Sequence, residues 1–173
     1  MALFISTTTN RIDKKGRVSV PAQFRNNLSA NFSGVVLFRS LKSPIIEGCD
    51  YDRLTRISNQ LETGLFPQFA TANEPLINNK ETMTPTFNDT AKINQDLAAM
   101  MFAEAQMLSF DAEGRISIPT HLLSHAQITE QITFVGRGPT FELWEPEAFL
   151  AHHEQMRQRL IQATGPQQGG IHG

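Results

Sequence analysis

Two short runs in this 173-residue chain place an arginine four positions after an aspartate, with a glycine just before the arginine. They are Asp13-Lys14-Lys15-Gly16-Arg17 and Asp111-Ala112-Glu113-Gly114-Arg115. A guanidinium at the tip of a turn is a rigid fork of donors that suits the O6 and N7 edge of guanine. Lys14 and Lys15 beside Arg17 would meet phosphates, which position a protein on a duplex without specifying sequence. Arg17 also has a second reading, because Asp13 is within reach and an ion pair would brace the loop. Arg11 and Arg25 flank the first run and suit either phosphate contacts or solvated positions. Arg115 shares its loop with two acids, Asp111 and Glu113, so an internal ion pair competes harder there than at Arg17. Asp13 and Asp111 are assigned to the turn itself: a carboxylate repels phosphate but accepts readily from backbone two residues on.

Charge supports the same distinction. The chain as a whole carries a formal net charge of -2, which alone would argue against a polyanionic partner. The charge is unevenly placed, however. Residues 1–30 hold Arg11, Lys14, Lys15, Arg17 and Arg25 against Asp13 alone, while acids outnumber bases from residue 61 onward. Affinity for phosphate follows local charge, since it comes from counterions released near each base.

Other chemistry finds little support. His121 and His125 are spaced to share a helix face, and His152-His153-Glu154 forms a second cluster, but no third and fourth ligand is evident, so no metal is expected. Cys49 has no pair of basic neighbours to activate it. Trp144 suits core or interface. Phosphate-binding loops, dinucleotide fingerprints and nucleophile elbows are absent, so neither an enzyme, a cofactor nor a small-molecule substrate is expected. No apolar run reaches membrane-spanning length, no signal peptide opens the chain, and a single cysteine suits a reducing compartment; the expected location is the cytoplasm, with no membrane partner.

The elements that must hold the two arginines are themselves repeated. Asp13, Gly16, Arg17, Ser19 and Pro21 return as Asp111, Gly114, Arg115, Ser117 and Pro119, each 98 residues later (111 minus 13). Val18 and Val20 return as Ile116 and Ile118, and Arg39 faces Arg137 at the same offset. Alternating β-branched residues after each glycine predict a half-buried strand, so each run is expected to turn a β-hairpin. Gly16 and Gly114 supply the left-handed residue that such a loop needs. The prolines end the second arm, and a short helix follows.

Two strands come next in each copy, Val35–Arg39 with Ile45–Cys49, and Gln131–Gly136 with Thr140–Trp144. A longer helix closes each copy. Asp50 caps the first, which runs to about Leu61, and Pro146 opens the second, with Phe149, His153, Met156 and Leu160 at helical spacing. Residues 89–107 look helical as well, with Ile93, Leu97, Met100, Met101, Ala105 and Leu108 near one side. The fold class is therefore α+β, a tandem pair of ββαββα units. Each unit has too thin a core to stand alone, so a pseudo-two-fold arrangement with interleaved hairpins is expected. The expected boundaries are residues 1–63 for the first repeat and 64–95 for a polar, proline-containing linker. Residues 96–163 are the second repeat with its preceding helix, and 164–173 a disordered tail.

The two loops, each leading through Gly-Arg-apolar-Ser-apolar-Pro into a strand end, resemble those of the MraZ family of bacterial transcriptional regulators. The resemblance covers about residues 3–60 and 96–160. It implies an AbrB-like swapped-hairpin β-barrel domain with flanking helices. It further implies a nucleoid-associated regulator that forms a homo-oligomeric ring and binds short direct repeats in double-stranded promoter DNA, upstream of the division and cell-wall gene cluster. By position the loop arginine associated with DNA would be Arg17, and in the second copy Arg115. The competing class is a ring-forming scaffold that has lost DNA binding, motivated by the neutral-to-acidic second half. The linker is longer than the resemblance leads one to expect.

Overall fold

Val18 and Ile116 sit at the centre of the molecule because neither repeat can bury its short second strand alone. The computed structural model describes residues 2–63 and 87–164. The first copy comprises β1 (Thr7–Arg11), β2 (Arg17–Ser19), α1 (Ala22–Arg25), β3 (Gly34–Arg39), β4 (Ile46–Cys49) and α2 (Tyr51–Thr63). Helix α3 (Phe87–Glu104) precedes the second copy. That copy comprises β5 (Gln106–Ser109), β6 (Arg115–Ser117), α4 (Thr120–His125), β7 (Gln131–Gly136), β8 (Phe141–Trp144) and α5 (Pro146–Thr164).

All strand pairs are antiparallel. Six strands form one sheet in the order β1-β7-β8-β4-β3-β5, and β2 pairs with β6 in a separate two-stranded ribbon. Reading the sheet order backwards exchanges the two copies, strand for strand, so the pseudo-two-fold axis passes between β8 and β4. The copies interleave. β1 lies on β7 of the other copy from Thr7↔Val135 to Arg11↔Gln131, and β5 lies on β3 from Gly34↔Ser109 to Leu37↔Gln106.

This pairing changes the expected hairpins. In the first copy the arms meet beyond the turn only at an Ile12–Val18 bridge, after which β1 and β2 separate into different sheets. Three-residue second arms are too short for a useful ladder with their own first arms. Crossing to the other copy instead packs Val18, Val20, Ile116 and Ile118 into one core, where each is at most 3% exposed. Hydrogen bonding thus makes two sheets in place of one closed ladder.

Phe4, Phe24, Phe134 and Phe141 are the aromatic part of that core, with Phe4 edge-on to Phe24 at 5.3 Å and to Phe141 at 4.9 Å. A ring of this kind removed to alanine costs about 3–5 kcal/mol. Gly48 lies on β4 where the Phe141 ring crosses the strand and leaves no room for a side chain. The opposite face of β3 is covered too: Val36, Phe38 and Cys49 pack against Leu54 of α2 and Met101 of α3. β3 therefore reads as a continuous apolar run, as strands buried on both faces do.

The caps are as the sequence leads one to expect. Asp50 Oδ1 accepts from Asp52 N at 3.2 Å at the start of α2. Pro146 is the first residue of α5, and Glu145 Oε2 accepts from Ala148 N at 2.8 Å. The largest differences lie around α3 and along α5. Helix α3 begins at Phe87, inside the stretch 64–95 expected as linker, and stops at Glu104. Gln106–Ser109 are strand, so Leu108 belongs to β5. Met100 of α3 is exposed, and Ala98 faces inward beside Met101. Along α5 only Phe149 of the expected stripe is buried, and Leu160 is 59% exposed, because the helix runs past the sheet. The rest of the expected linker and the tail from residue 165 lie outside the described residues. Among the described residues, no helix is long and apolar enough to cross a membrane.

Candidate nucleic-acid interface

Each Asp-x-x-Gly-Arg loop is a small cage built around its aspartate. Asp13 Oδ1 accepts from Lys15 N at 2.8 Å and Arg17 N at 2.9 Å, and Oδ2 accepts from Arg17 Nε at 2.7 Å. Gly16 N donates to the Asp13 carbonyl at 2.9 Å, and Gly16 holds φ at +76°. The second loop repeats this. Asp111 Oδ1 takes Glu113 N at 3.0 Å and Arg115 N at 2.9 Å, Oδ2 takes Arg115 Nε at 2.7 Å, and Gly114 has φ +73°. The backbone N–H of the arginine is the main reason that both carboxyls are held below the ordinary aspartate pKa, and the arginine side chain lowers them further.

Bracing and reading are therefore compatible in Arg17. Its Nε is spent on Asp13, while Nη1 and Nη2 have no hydrogen-bond partner among the described residues, and the side chain is 38% exposed. Arg115 is more fully engaged. Its Nη2 also meets Glu113 Oε2 at 3.1 Å, and hydrogen bonding to Asp111 raises its pKa.

The ribbon brings the two arginines to one surface. Val18 opposes Ile116 and both point into the core; Arg17 opposes Ser117, and Ser19 opposes Arg115. With a side-chain period of two, Arg17, Ser19, Arg115 and Ser117 share the outward face. Lys14 and Lys15 are exposed at the first loop, where the second has Ala112 and Glu113. Arg11 is exposed at the end of β1. Arg25 is not on this face: it is half-buried, its Nε donates to the Val20 carbonyl at 3.1 Å, and its guanidinium covers Gly114.

Ser19, Ser117 and Asn10 were not singled out by sequence, although both serines recur in the repeated motif beside buried alternate residues. Asn10 Nδ2 donates to the Ser19 carbonyl at 2.7 Å and ties β1 to the ribbon. Arg39 and Arg137, equivalent by the repeat, are occupied elsewhere: Arg39 Nε with Glu104 at 2.9 Å and Arg137 Nε with Glu142 at 2.9 Å. Glu142 also receives Trp144 Nε1 at 2.8 Å, so Trp144 is an anchored core residue.

The other candidates for chemistry have structural surroundings. His152 lies 4.8 Å from Trp144, and His153 stacks on Phe149 at 5.4 Å. Among the described residues no three His, Cys, Asp or Glu side chains converge as a metal group would require. Burial pushes the Cys49 thiol up to about 12, outweighing Arg53 and Arg56, whose charges act in the opposite direction. Those two bases are neighbours that sequence spacing had not credited.

Comparison with known proteins adds a family. A family model described as "MraZ protein, putative antitoxin-like" matches residues 3–72 and 101–165, one stretch for each repeat. A protein of Pelagibacter ubique named Transcriptional regulator MraZ is 38% identical over 148 residues, covering 85% of this chain and 81% of its own. Proteins of the same name from Rickettsia akari and Rickettsia peacockii are 34% and 35% identical, covering 88% and 86% of this chain and 87% and 85% of theirs.

Proposed function

The chain belongs to the MraZ family, and from that premise we propose that it is a sequence-specific, DNA-binding transcriptional regulator that reads DNA with the β2–β6 ribbon and its two loops. The observation that carries this reading is the Arg17 side chain, held at its neck by Asp13 with both terminal nitrogens unengaged among the described residues. Such a fork loses little freedom on pairing with guanine, and a bidentate pair contributes about 1–3 kcal/mol of discrimination. Lys14, Lys15 and Arg11 take phosphates around it. Arg115, partly neutralised by Glu113, contributes less from the same face.

A two-stranded ribbon fits the width of a major groove. With so few bases per chain, one ribbon supplies little affinity, so several chains in a homo-oligomer act together on direct repeats. The DNA is promoter DNA upstream of the division and cell-wall genes, and the regulator works in the cytoplasm on the nucleoid. The swapped-hairpin relation to AbrB-like proteins accords with strands that exchange between copies.

The test is binding of the purified protein to its own upstream DNA across a salt series, with Arg17→Ala and Arg115→Ala in parallel. Arg17→Ala is expected to weaken specific binding roughly tenfold or more, and Arg115→Ala several-fold less than that. Wild-type protein that gives no salt-dependent, sequence-preferring shift would sink the reading and leave the scaffold that has lost DNA binding. Equal losses in the two variants would refute the division of labour between the loops.

A further inference from the structure

Arg25 closes α1, and its charge alone makes it a phosphate candidate. Its surroundings assign it differently. The Nε donates to the Val20 carbonyl at 3.1 Å, and Val20 N in turn donates to the Gly114 carbonyl at 3.2 Å. The plane of the guanidinium lies against Gly114, where a Cβ would overlap Nη1 and Cζ. Arg25 thus touches the second loop of the other copy at the residue that precedes Arg115.

The internal repeat supplies a control for this contact. The position equivalent to Arg25 is Leu123 (123 minus 25 is 98), on α4. Leu123 Cδ1 stands 3.6 Å from a Cβ built on Gly16, and Ile118 N donates to the Gly16 carbonyl at 2.8 Å. Each loop glycine is therefore covered by the same position of the opposite copy's short helix. One cover is aliphatic and the other a guanidinium, so the shared role is packing and charge is incidental to it. A phosphate approaching Arg25 would enter a cleft of about 350 Å³ that Asp111 also lines, beside Phe32 and Phe110. A carboxylate at that mouth opposes an anion.

We infer that Arg25 is a positioning residue: it clamps Gly114, thereby sets the direction of Arg115, and makes no phosphate contact. The inference rests on the DNA-reading function proposed above, but its structural half can be measured without DNA. Two substitutions separate charge from shape. Both lose the Nε bond to Val20; Arg25→Leu copies the aliphatic cover found over Gly16 and removes the charge, whereas Arg25→Lys keeps the charge and loses the flat cover.

Amide hydrogen exchange in the full chain is read at Val20, which is bonded to Gly114, and at Ile118, which is bonded to Gly16. Arg25→Lys is expected to speed exchange at Val20 about fivefold, the scale of one weakened hydrogen bond, and to leave Ile118 unchanged. Arg25→Leu leaves both near wild type. On the upstream DNA, Arg25→Leu keeps affinity and the slope of log K against log salt, whereas Arg25→Lys weakens binding by no more than Arg115→Ala does. In an Arg115→Ala background Arg25→Lys adds nothing further. The inference is overturned if Arg25→Leu loses about one unit of salt slope while Arg25→Lys binds as wild type, the signature of a phosphate contact. Unaltered Val20 exchange in Arg25→Lys overturns it as well. If wild type fails to bind DNA, the functional proposal falls, and the exchange comparison still decides the clamp.

Discussion

Aspartate is the residue on which each loop turns, and its chemistry is that of an acceptor saturated from one side. Asp13 and Asp111 each gather two backbone N–H groups and one arginine Nε. Both carboxyls are held below their ordinary value, near 3.9. A depressed folded pKa means that the contribution to stability is present above the unfolded value and is lost as pH falls through the folded one. The loops should stay braced at pH 5 to 8 and loosen only in acid below about 4. Carboxyl-carbon NMR titration checks this: both aspartates should titrate below ordinary aspartate, and a midpoint at or above it would contradict the cage. Sequence showed the arginine and the aspartate of each loop at once. It posed bracing and reading as rivals, because it cannot show that Nε and the two Nη atoms of one guanidinium face different ways. Arg25 was illegible for another reason. Its partner Gly114 belongs to the other copy, and only the interleaving brings them together.

At the scale of the element, the loops differ in how tightly they are enclosed, and this gives an ordering of substitutions. A Cβ on Gly16 would stand 2.7 Å from the Ile118 carbonyl oxygen, a backbone atom of the residue just past β6. A Cβ on Gly114 would instead meet the end of the Arg25 side chain, which can swing aside. Both positions need the left-handed backbone, which costs a non-glycine residue about 1–2 kcal/mol. Gly16→Ala, which must also move backbone, should therefore destabilise by more than Gly114→Ala, which adds to the strain only the displaced Arg25 contact; urea denaturation orders them, and a larger loss at Gly114 would contradict this difference in enclosure. Strands and caps were legible wherever local chemistry decides them, as at Asp50 and Pro146. The α3–β5 boundary was not, because Leu108 satisfies both a helical and an alternating pattern, and pairing with β3 settles it. The stripe on α5 misled because helical spacing records an amphipathic face and not whether anything lies opposite it.

For the whole molecule, the exchange of strands makes folding, and with it the proposed reading of DNA, a single property of both copies. β1 has its ladder on β7 and β2 has its ladder on β6, so the first copy alone leaves two of its four strands without partners. Its share of the core is equally incomplete, since Val18, Val20 and Phe24 pack on Ile116, Ile118, Phe134 and Phe141. Duplication was plain from the repeated residues, and the need for a partner followed from the thin core of each unit. Which strand crosses to which could not follow, since β1, Thr7-Thr8-Thr9-Asn10-Arg11, is polar throughout and carries no apolar pattern that selects a neighbour. A polypeptide of residues 1–63 should accordingly have no folded monomer. Any structure it gains should come from a second copy supplying equivalents of β6 and β7, so its melting temperature should rise with concentration. Adding residues 87–164 should displace that association and restore one cooperative transition, because Ile116 and Ile118 fill the core beside Val18 more fully than two further valines do. Thermal melts over a hundredfold range of concentration, with and without the second fragment, distinguish the cases. A folded, concentration-independent monomer of residues 1–63 would show that the copies are separable, and that the ribbon joining Arg17 to Arg115 is an accident of packing rather than the frame on which both loops depend.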